Sequence, residues 1–275
     1  MENKKTYIEI KDSIRVLIMY IFVFNIMVVM GLGMLYEIMG KTLEVTLENM
    51  IISIVSCIFI IKWCEKRYIV ELKKLFNTKK VTILKLFFML ISITGLIILL
   101  SEIDNLVKVV FPIRGMWKEL FVDMFGQEHN LWQKIIAIVI VGPIVEELLF
   151  RGIILKGFMK HYSPKKAVIV SAFLFALVHM NIWQFVVAFP LGLILGWWFV
   201  KTNSIIPCIL GHMFNNSIPF IITYIINVEI PGFNTSGEIV QFQPMWFNLL
   251  GLGLFSMGVI LLVTIFKNDK NQIIE

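Results

Sequence analysis

The sequence has few charged residues for its length. Charged side chains make up 16% of its 275 residues, whereas soluble domains usually carry roughly 25%. Hydrophobic residues make up 58%, and the mean hydropathy is +0.85. This shortage of charge excludes an ordinary soluble domain and predicts an integral membrane protein. The net charge of +6 is therefore expected to set topology and meet anionic lipid, rather than bind nucleic acid.

Cysteines are also scarce, and a zinc-protease motif is missing. The three cysteines, Cys57, Cys64 and Cys208, show no CxxC or CxxH spacing, which argues against a redox or metal-thiolate site. The chain contains no HExxH sequence either, so it lacks the helical pattern that makes zinc binding probable in a metalloprotease. We interpret the cysteines as small apolar packing residues.

Long apolar runs predict an all-α polytopic membrane protein with about eight transmembrane helices. A helix needs roughly 20 mostly apolar residues to cross the hydrocarbon layer. The candidate spans are residues 16–36, 47–64, 83–100, 131–155, 164–181, 183–200, 204–226 and 244–266. The first run is longer than the apolar part of a signal peptide, so we expect it to remain as a span.

The loops predict the orientation and the organisation of the chain. With eight spans, most loop lysines and arginines fall on the side of the two termini, so both termini are expected in the cytoplasm. The mixed segment 101–130 predicts a short interfacial helix. We divide the chain into N-terminal helices and a loop (1–130), a core (131–220) and a C-terminal part (221–275).

The stretch PIVEELLFRG, residues 143–152, places three ionisable side chains inside a predicted span. Glu147 and Arg151 are four residues apart and share a helical face, which favours an ion pair. Glu146 lies about 100° away on the helix and has no partner in its own span, while Pro143 predicts a local kink. Ionisable residues at membrane depth are costly and suggest function; the alternative is a structural ion pair beside an incidental Glu146.

Two histidines and an asparagine add polar groups at a similar predicted depth. His179 lies near the end of the fifth span, one turn after Phe175, and His212 lies in the seventh span, one turn before Asn216. A rise of ~1.5 Å per residue, counted from the flanking lysines, places them near the level of Glu146. A single histidine in an apolar span is usually a packing residue, but this combination predicts a shared hydrated cavity.

Three motifs carry a resemblance to a known family. EELLFR (146–151), FALVH (175–179) and HMFNN (212–216) resemble the EExxxR, FxxxH and HxxxN signatures of the CPBP intramembrane peptidases, also called the Abi family, which includes CAAX proteases and bacteriocin-processing enzymes. The resemblance covers residues 131–220. In TNSIIP, Asn203 stands where the family often has glycine, and asparagine tolerates the left-handed backbone conformation.

The resemblance implies hydrolysis of a peptide bond inside the membrane. Glu146 is then expected to be the general base that activates water, and His179 to orient that water or pass a proton to the leaving amine. His212 and Asn216 are expected to donate hydrogen bonds to the oxyanion. Glu147, Arg151 and Phe175 would support these residues.

The cofactor and the biological role stay open between alternatives. We expect a metal-free site, and the alternative is one divalent metal, zinc above all, on His179, His212 and a carboxylate. The expected partners are the lipid bilayer and a membrane-associated peptide or protein substrate, in a bacterial cell membrane. The role would be CAAX-type processing, maturation of a bacteriocin or signalling peptide, or self-immunity. The alternative function is a non-catalytic immunity or regulatory protein of the same family.

Overall fold

The computed structural model describes residues 6–40, 43–78, 81–119, 131–222, 225, 228–235 and 240–271. These residues contain long helices and no β-strand beyond an isolated bridge between Thr6 and Tyr68, which confirms the all-α class. The long helices are α1 (Ile10–Met39), α2 (Val45–Arg67), α3 (Ile83–Val110), α4 (131–158), α5 (Pro164–Leu177), α6 (Ile182–Thr202), α7 (Ile206–Ile221) and α8 (Met245–Asn271).

Five of these helices are long and apolar enough to cross a membrane, namely α1, α2, α3, α6 and α8. The other three do not meet that description. Helix α5 has 14 residues and α7 has 16, too few for the roughly 20 that a span needs, while α4 carries several charged residues. The count of eight spans is therefore not confirmed, and the cytoplasmic position of both termini stays a prediction.

Two of the expected helix boundaries were wrong. Helix α3 continues to Val110, so the first ten residues of the predicted interfacial segment belong to a long apolar helix. Residues 116–119 form a further helical turn, and the rest of that segment, 120–130, lies outside the described residues. Helix α5 ends at Leu177, so His179 follows the helix instead of lying inside it as predicted.

The helices are arranged around α4. Helix α2 contacts one side of α4, and α1 packs on α2. On the other side, α5, α6 and α7 contact α4; α3 contacts α6 and α7, and α8 packs along α3. Helix α4 therefore contacts both α2 and the α5–α7 group, and two of its charged side chains, Glu147 and Arg151, are buried.

Glycines allow close approach at two helix pairs. A Cβ added to Gly192 or to Gly196 on α6 would lie 3.0 Å from a side-chain atom of Ala172 or Val168, both on α5, so these small residues allow the two helices to pack closely. Asn203 ends α6 with φ of 49° and ψ of 34°, as its tolerance of left-handed backbone predicted. The three cysteines are unpaired and buried, in agreement with a packing role.

The α3–α8 pair predicts a strong difference between two glycines of the same helix. A Cβ at Gly251 would lie 2.6 Å from the Ile98 side chain, whereas a Cβ at Gly253 would meet nothing within 4 Å. We expect Gly251→Ala to lower the free energy of unfolding by about 1–3 kcal/mol through overpacking, and Gly253→Ala to leave it unchanged or slightly higher. Thermal unfolding in detergent measures both; equal effects would contradict this packing.

Candidate active site

Helix α4 changes its hydrogen-bond register around Pro143. Residues Ile135–Val141 and Leu148–Leu155 are π-helical, and Gly142–Glu147 between them is α-helical. In the first π segment the Gly142 N–H donates to the carbonyl of Ala137, five residues back. Single π-helical turns inside α-helices are frequent at functional sites, and here they flank the acidic pair.

Proline leaves one carbonyl of this segment without a donor. In the π register, residue 143 would donate to the carbonyl oxygen of Ile138, but proline has no N–H. The Asn216 side chain on α7 fills this role, since its Nδ2 donates to the Ile138 oxygen at 2.9 Å. Asn215 Nδ2 donates to Asn216 Oδ1 at 3.0 Å, so both polar ends of the Asn216 amide are bound.

Glu147 connects α4 to α7 through a buried ionic cluster. Its Oε1 accepts a hydrogen bond from Arg151 Nη1 at 2.8 Å, as the spacing predicted, and contacts His212 Nδ1 at 2.9 Å. The side chains of Glu147 and Arg151 are 0% and 1% exposed. A carboxylate only accepts, so His212 Nδ1 carries a proton and donates it to Glu147. The sequence predicted the ion pair but not this second partner.

Arg151 is one of the largest fully buried side chains among the described residues. Besides Glu147, it contacts the carbonyl oxygen of Gly192 on α6, to which Nη2 donates at 3.2 Å, and its guanidinium lies 4.7 Å from the centre of the Phe175 ring. Arg151 therefore connects α4, α5 and α6. The close packing of α6 at Gly192 brings the Gly192 carbonyl within hydrogen-bonding distance of Arg151.

Glu146 differs from Glu147 in its surroundings. Its side chain is 35% exposed, and its Oε2 lies 3.8 Å from His212 Nε2. This is too long for a direct hydrogen bond but short enough for electrostatic coupling. Glu146 is the accessible carboxylate of the pair, as the sequence predicted from its position on the helix.

His179 lies in the turn that follows α5. Its Nδ1 lies 2.9 Å from the carbonyl oxygen of Phe175 in the last turn of that helix. Because a carbonyl only accepts, Nδ1 is the donor, and the neutral ring has its lone pair on Nε2. Met180 with φ of 55° and the Asn181 amide, which donates to the His179 carbonyl at 2.8 Å, fix the turn.

Phe175 is the common neighbour of the two histidines. Its ring lies 5.3 Å from the His179 ring and 5.6 Å from the His212 ring, both edge-to-face. Such offset aromatic geometries are favourable, and the same ring contacts Arg151. Phe175 therefore contacts Arg151 of α4, His179 after α5 and His212 of α7.

Glu146 lies close to the buried ionic cluster. Glu146, Glu147 and Arg151 together carry one excess negative charge when both carboxylates are ionised. His212 Nε2 lies 3.8 Å from Glu146 Oε2, so the His212 ring lies between the two carboxylates and contacts Glu147 with its other nitrogen.

The geometry bears on the alternative with a metal ion. Within the described part of the chain, no three His, Cys, Asp or Glu side chains come together in a way that could hold a metal ion. His212 Nδ1 is bound to Glu147, and His179 Nδ1 to a backbone carbonyl. These positions therefore do not form a ligand set as they stand.

Comparison with known proteins identifies the segment that carries this site. Residues 128–218 match the family model described as type II CAAX prenyl endopeptidase Rce1-like, which confirms the resemblance drawn from the three motifs. No curated protein and no solved structure matches the chain. The matched segment includes α4, α5, α6 and most of α7, and so every residue of the ionic cluster.

Proposed function

We propose, from the match of residues 128–218 to the model described as type II CAAX prenyl endopeptidase Rce1-like, that this protein is an intramembrane endopeptidase whose attacking water is activated by Glu146. One observation carries the proposal: the accessible Glu146 carboxylate faces His212, whose ring is held in one orientation by the buried Glu147. An accessible base beside an oriented imidazole is an arrangement suited to general acid–base catalysis.

The first step starts from an ionised Glu146 carboxylate and a His212 ring that carries a proton on both nitrogens. The Glu146 carboxylate takes a proton from water while the water oxygen attacks the carbonyl carbon of the scissile bond. His212 Nε2–H then donates to the oxyanion of the tetrahedral intermediate. Glu147 keeps the ring oriented by accepting from Nδ1, as a carboxylate orients the histidine of a serine protease.

The second step breaks the C–N bond. The intermediate collapses, the amine leaves, and the proton held by Glu146 moves to the leaving nitrogen. His179 contacts the Phe175 carbonyl through Nδ1, which leaves Nε2 to orient the water or to carry the proton to the amine. The products are a carboxylic acid, which then ionises, and an amine, so one water is consumed per bond.

An apolar groove beside the site supports a membrane-embedded substrate. Between α2 and α4 lies a cavity of about 230 Å³. Its lining is Ile54, Cys57, Ile58, Ile61, Val141, Ile144, Val145 and Leu148. We propose that the substrate is a membrane-anchored peptide or protein, either of CAAX type or a leader of a secreted peptide, in a bacterial cell membrane.

The function is tested with purified protein in proteoliposomes. The probes are a lipid-anchored peptide ending in a CAAX sequence and a membrane-anchored leader peptide, incubated in water enriched in oxygen-18. We expect a new carboxyl terminus that carries one heavy oxygen, detected by mass spectrometry. Intact probes under all conditions, together with a phenotype that survives Glu146→Gln, would favour the non-catalytic immunity or regulatory function.

The same assay separates the metal-free mechanism from the zinc alternative. We expect the cleavage rate to be unchanged after exhaustive treatment with a zinc chelator, because Glu146 alone activates the water. Loss of activity with the chelator and recovery with added zinc would instead assign His179 and His212 as ligands, and would contradict the mechanism above.

A further inference from the structure

We infer that Asn216 is a positioning residue, which holds the π-helical segment before Glu146 by binding the carbonyl that Pro143 leaves without a donor. The hydrogen bond itself is a structural observation. Its consequence for catalysis rests on the proposed function, because it concerns the placement of the general base.

The need for an outside donor follows from the register of α4. The Gly142 N–H reaches back five residues to Ala137, so the next bond of the same pattern would join residue 143 to Ile138. Pro143 cannot make it. A backbone carbonyl without a partner is costly inside a membrane protein, where water is scarce, so a side chain from a neighbouring helix is required to satisfy the Ile138 oxygen.

Asn216 is placed to supply this donor. Helix α7 packs against the first π segment and the following α-helical turn of α4. Asn216 Nδ2 reaches the Ile138 oxygen at 2.9 Å, while Asn215 donates to Asn216 Oδ1 at 3.0 Å. The second bond orients the amide, because it requires the oxygen to face Asn215 and leaves the NH₂ group for Ile138.

Together with His212, Asn216 holds α4 at two points. His212 bonds to Glu147, and Asn216, one turn later on α7, bonds to Ile138. These two contacts on α4 lie on either side of Pro143. Glu146 lies between them in the chain, so its separation of 3.8 Å from His212 depends on both bonds.

This role differs from the one that the sequence predicted for Asn216. The Asn216 NH₂ group has two N–H donors, and one of them donates to Ile138. The positioning role therefore adds to the expected oxyanion role and does not replace it. The two roles make different predictions for Pro143, since an alanine at position 143 restores a backbone N–H near the Ile138 carbonyl, whereas it adds nothing to an oxyanion site.

A double-mutant cycle on the full-length protein tests the inference. We expect Asn216→Ala to reduce the folded-to-unfolded ratio in detergent by about tenfold, or about 1.4 kcal/mol, and to lower kcat more than it changes KM. In the Pro143→Ala background, Asn216→Ala is expected to reduce the folded-to-unfolded ratio by less than about threefold. The kcat lost in Asn216→Ala should largely return in the double variant, because the backbone N–H at position 143 then binds the Ile138 carbonyl.

Asn25→Ala on α1 is the control, since it removes another asparagine amide that donates to a backbone carbonyl, that of Ile21. Its effect is expected to be the same with and without Pro143. Equal losses of stability for Asn216→Ala in both backgrounds would overturn the hydrogen-bond link. Coupling between Pro143 and Asn216 that is seen in stability but is absent from kcat would overturn the positioning role.

The stability measurements and the activity measurements separate this inference from the proposed function. The stability cycle requires no cleavage, so it tests the Asn216–Ile138 link even if wild-type protein hydrolyses neither probe. Conversely, the wild-type protein could cleave a probe while Pro143 and Asn216 show no coupling. That result would support the endopeptidase function and leave Asn216 only its expected oxyanion role.

Discussion

Replacing Glu146 by glutamine is expected to lower kcat by about 10²–10⁴-fold, the usual contribution of a general base. Glutamine keeps the size and hydrogen-bonding capacity of the side chain but cannot accept a proton from water. Because Glu146 is 35% exposed and makes no short ion pair, folding should be little affected. The measurement is the rate of oxygen-18 incorporation at the cleaved bond, alongside thermal unfolding of the same preparation.

An exposed glutamate is the control for this prediction. Glu37→Gln on α1 makes the same chemical change at an exposed position, and it is expected to leave both the rate and the unfolding temperature unchanged. Full activity of Glu146→Gln would contradict the proposed mechanism. A loss of activity that tracks a loss of folded protein would instead assign Glu146 a structural role.

Removing Glu147 alone is expected to cost about 3–5 kcal/mol of unfolding free energy, the usual penalty for leaving a buried charge unpaired. Among the described residues, Glu147→Leu leaves the buried Arg151 guanidinium with the Gly192 carbonyl and the Phe175 ring. It also leaves His212 Nδ1–H without its acceptor. Thermal unfolding and the yield of folded protein in detergent measure the effect.

The double variant separates stability from catalysis. Replacing a complete buried ion pair by apolar residues is often neutral or stabilising, so Glu147→Leu with Arg151→Met should recover most of the lost stability. Activity should stay low, since His212 still lacks the Glu147 carboxylate that orients it. A double variant as unstable as the single one, or as active as wild type, would contradict the role assigned to Glu147.

A solvent-exposed ion pair provides the comparison. Lys62 and Glu65 lie 3.0 Å apart with side chains 70% and 41% exposed. Glu65→Gln is expected to change stability little, because exposed ion pairs gain little over their hydrated components. The contrast with Glu147 isolates burial as the cause of the expected cost.

The motif residues were predictable because helical spacing acts over a few residues. The four-residue separation of Glu147 and Arg151 predicts their ion pair, which the structure has at 2.8 Å. The separate position of Glu146 likewise follows from the rotation per residue. Even the left-handed conformation of Asn203 could be predicted, since asparagine tolerates it better than most residues.

Helix boundaries and partners were less predictable because they depend on neighbouring helices. Hydropathy extended the fifth span to residue 181, but the helix ends at Leu177, and the left-handed Met180 and the cap at Asn181 form a turn around His179. Hydropathy detects apolar runs, whereas a helix end depends on which backbone groups find partners.

By itself, the sequence determined the membrane-protein class, the order of the helices and the three motifs, because composition and helical periodicity are local properties. Tertiary structure alone decided that Glu147 binds both Arg151 and His212, and that Asn216 binds the carbonyl freed by Pro143. Those contacts join residues up to 78 positions apart. They form because buried charges and carbonyls in a low-dielectric interior must find partners wherever packing brings them.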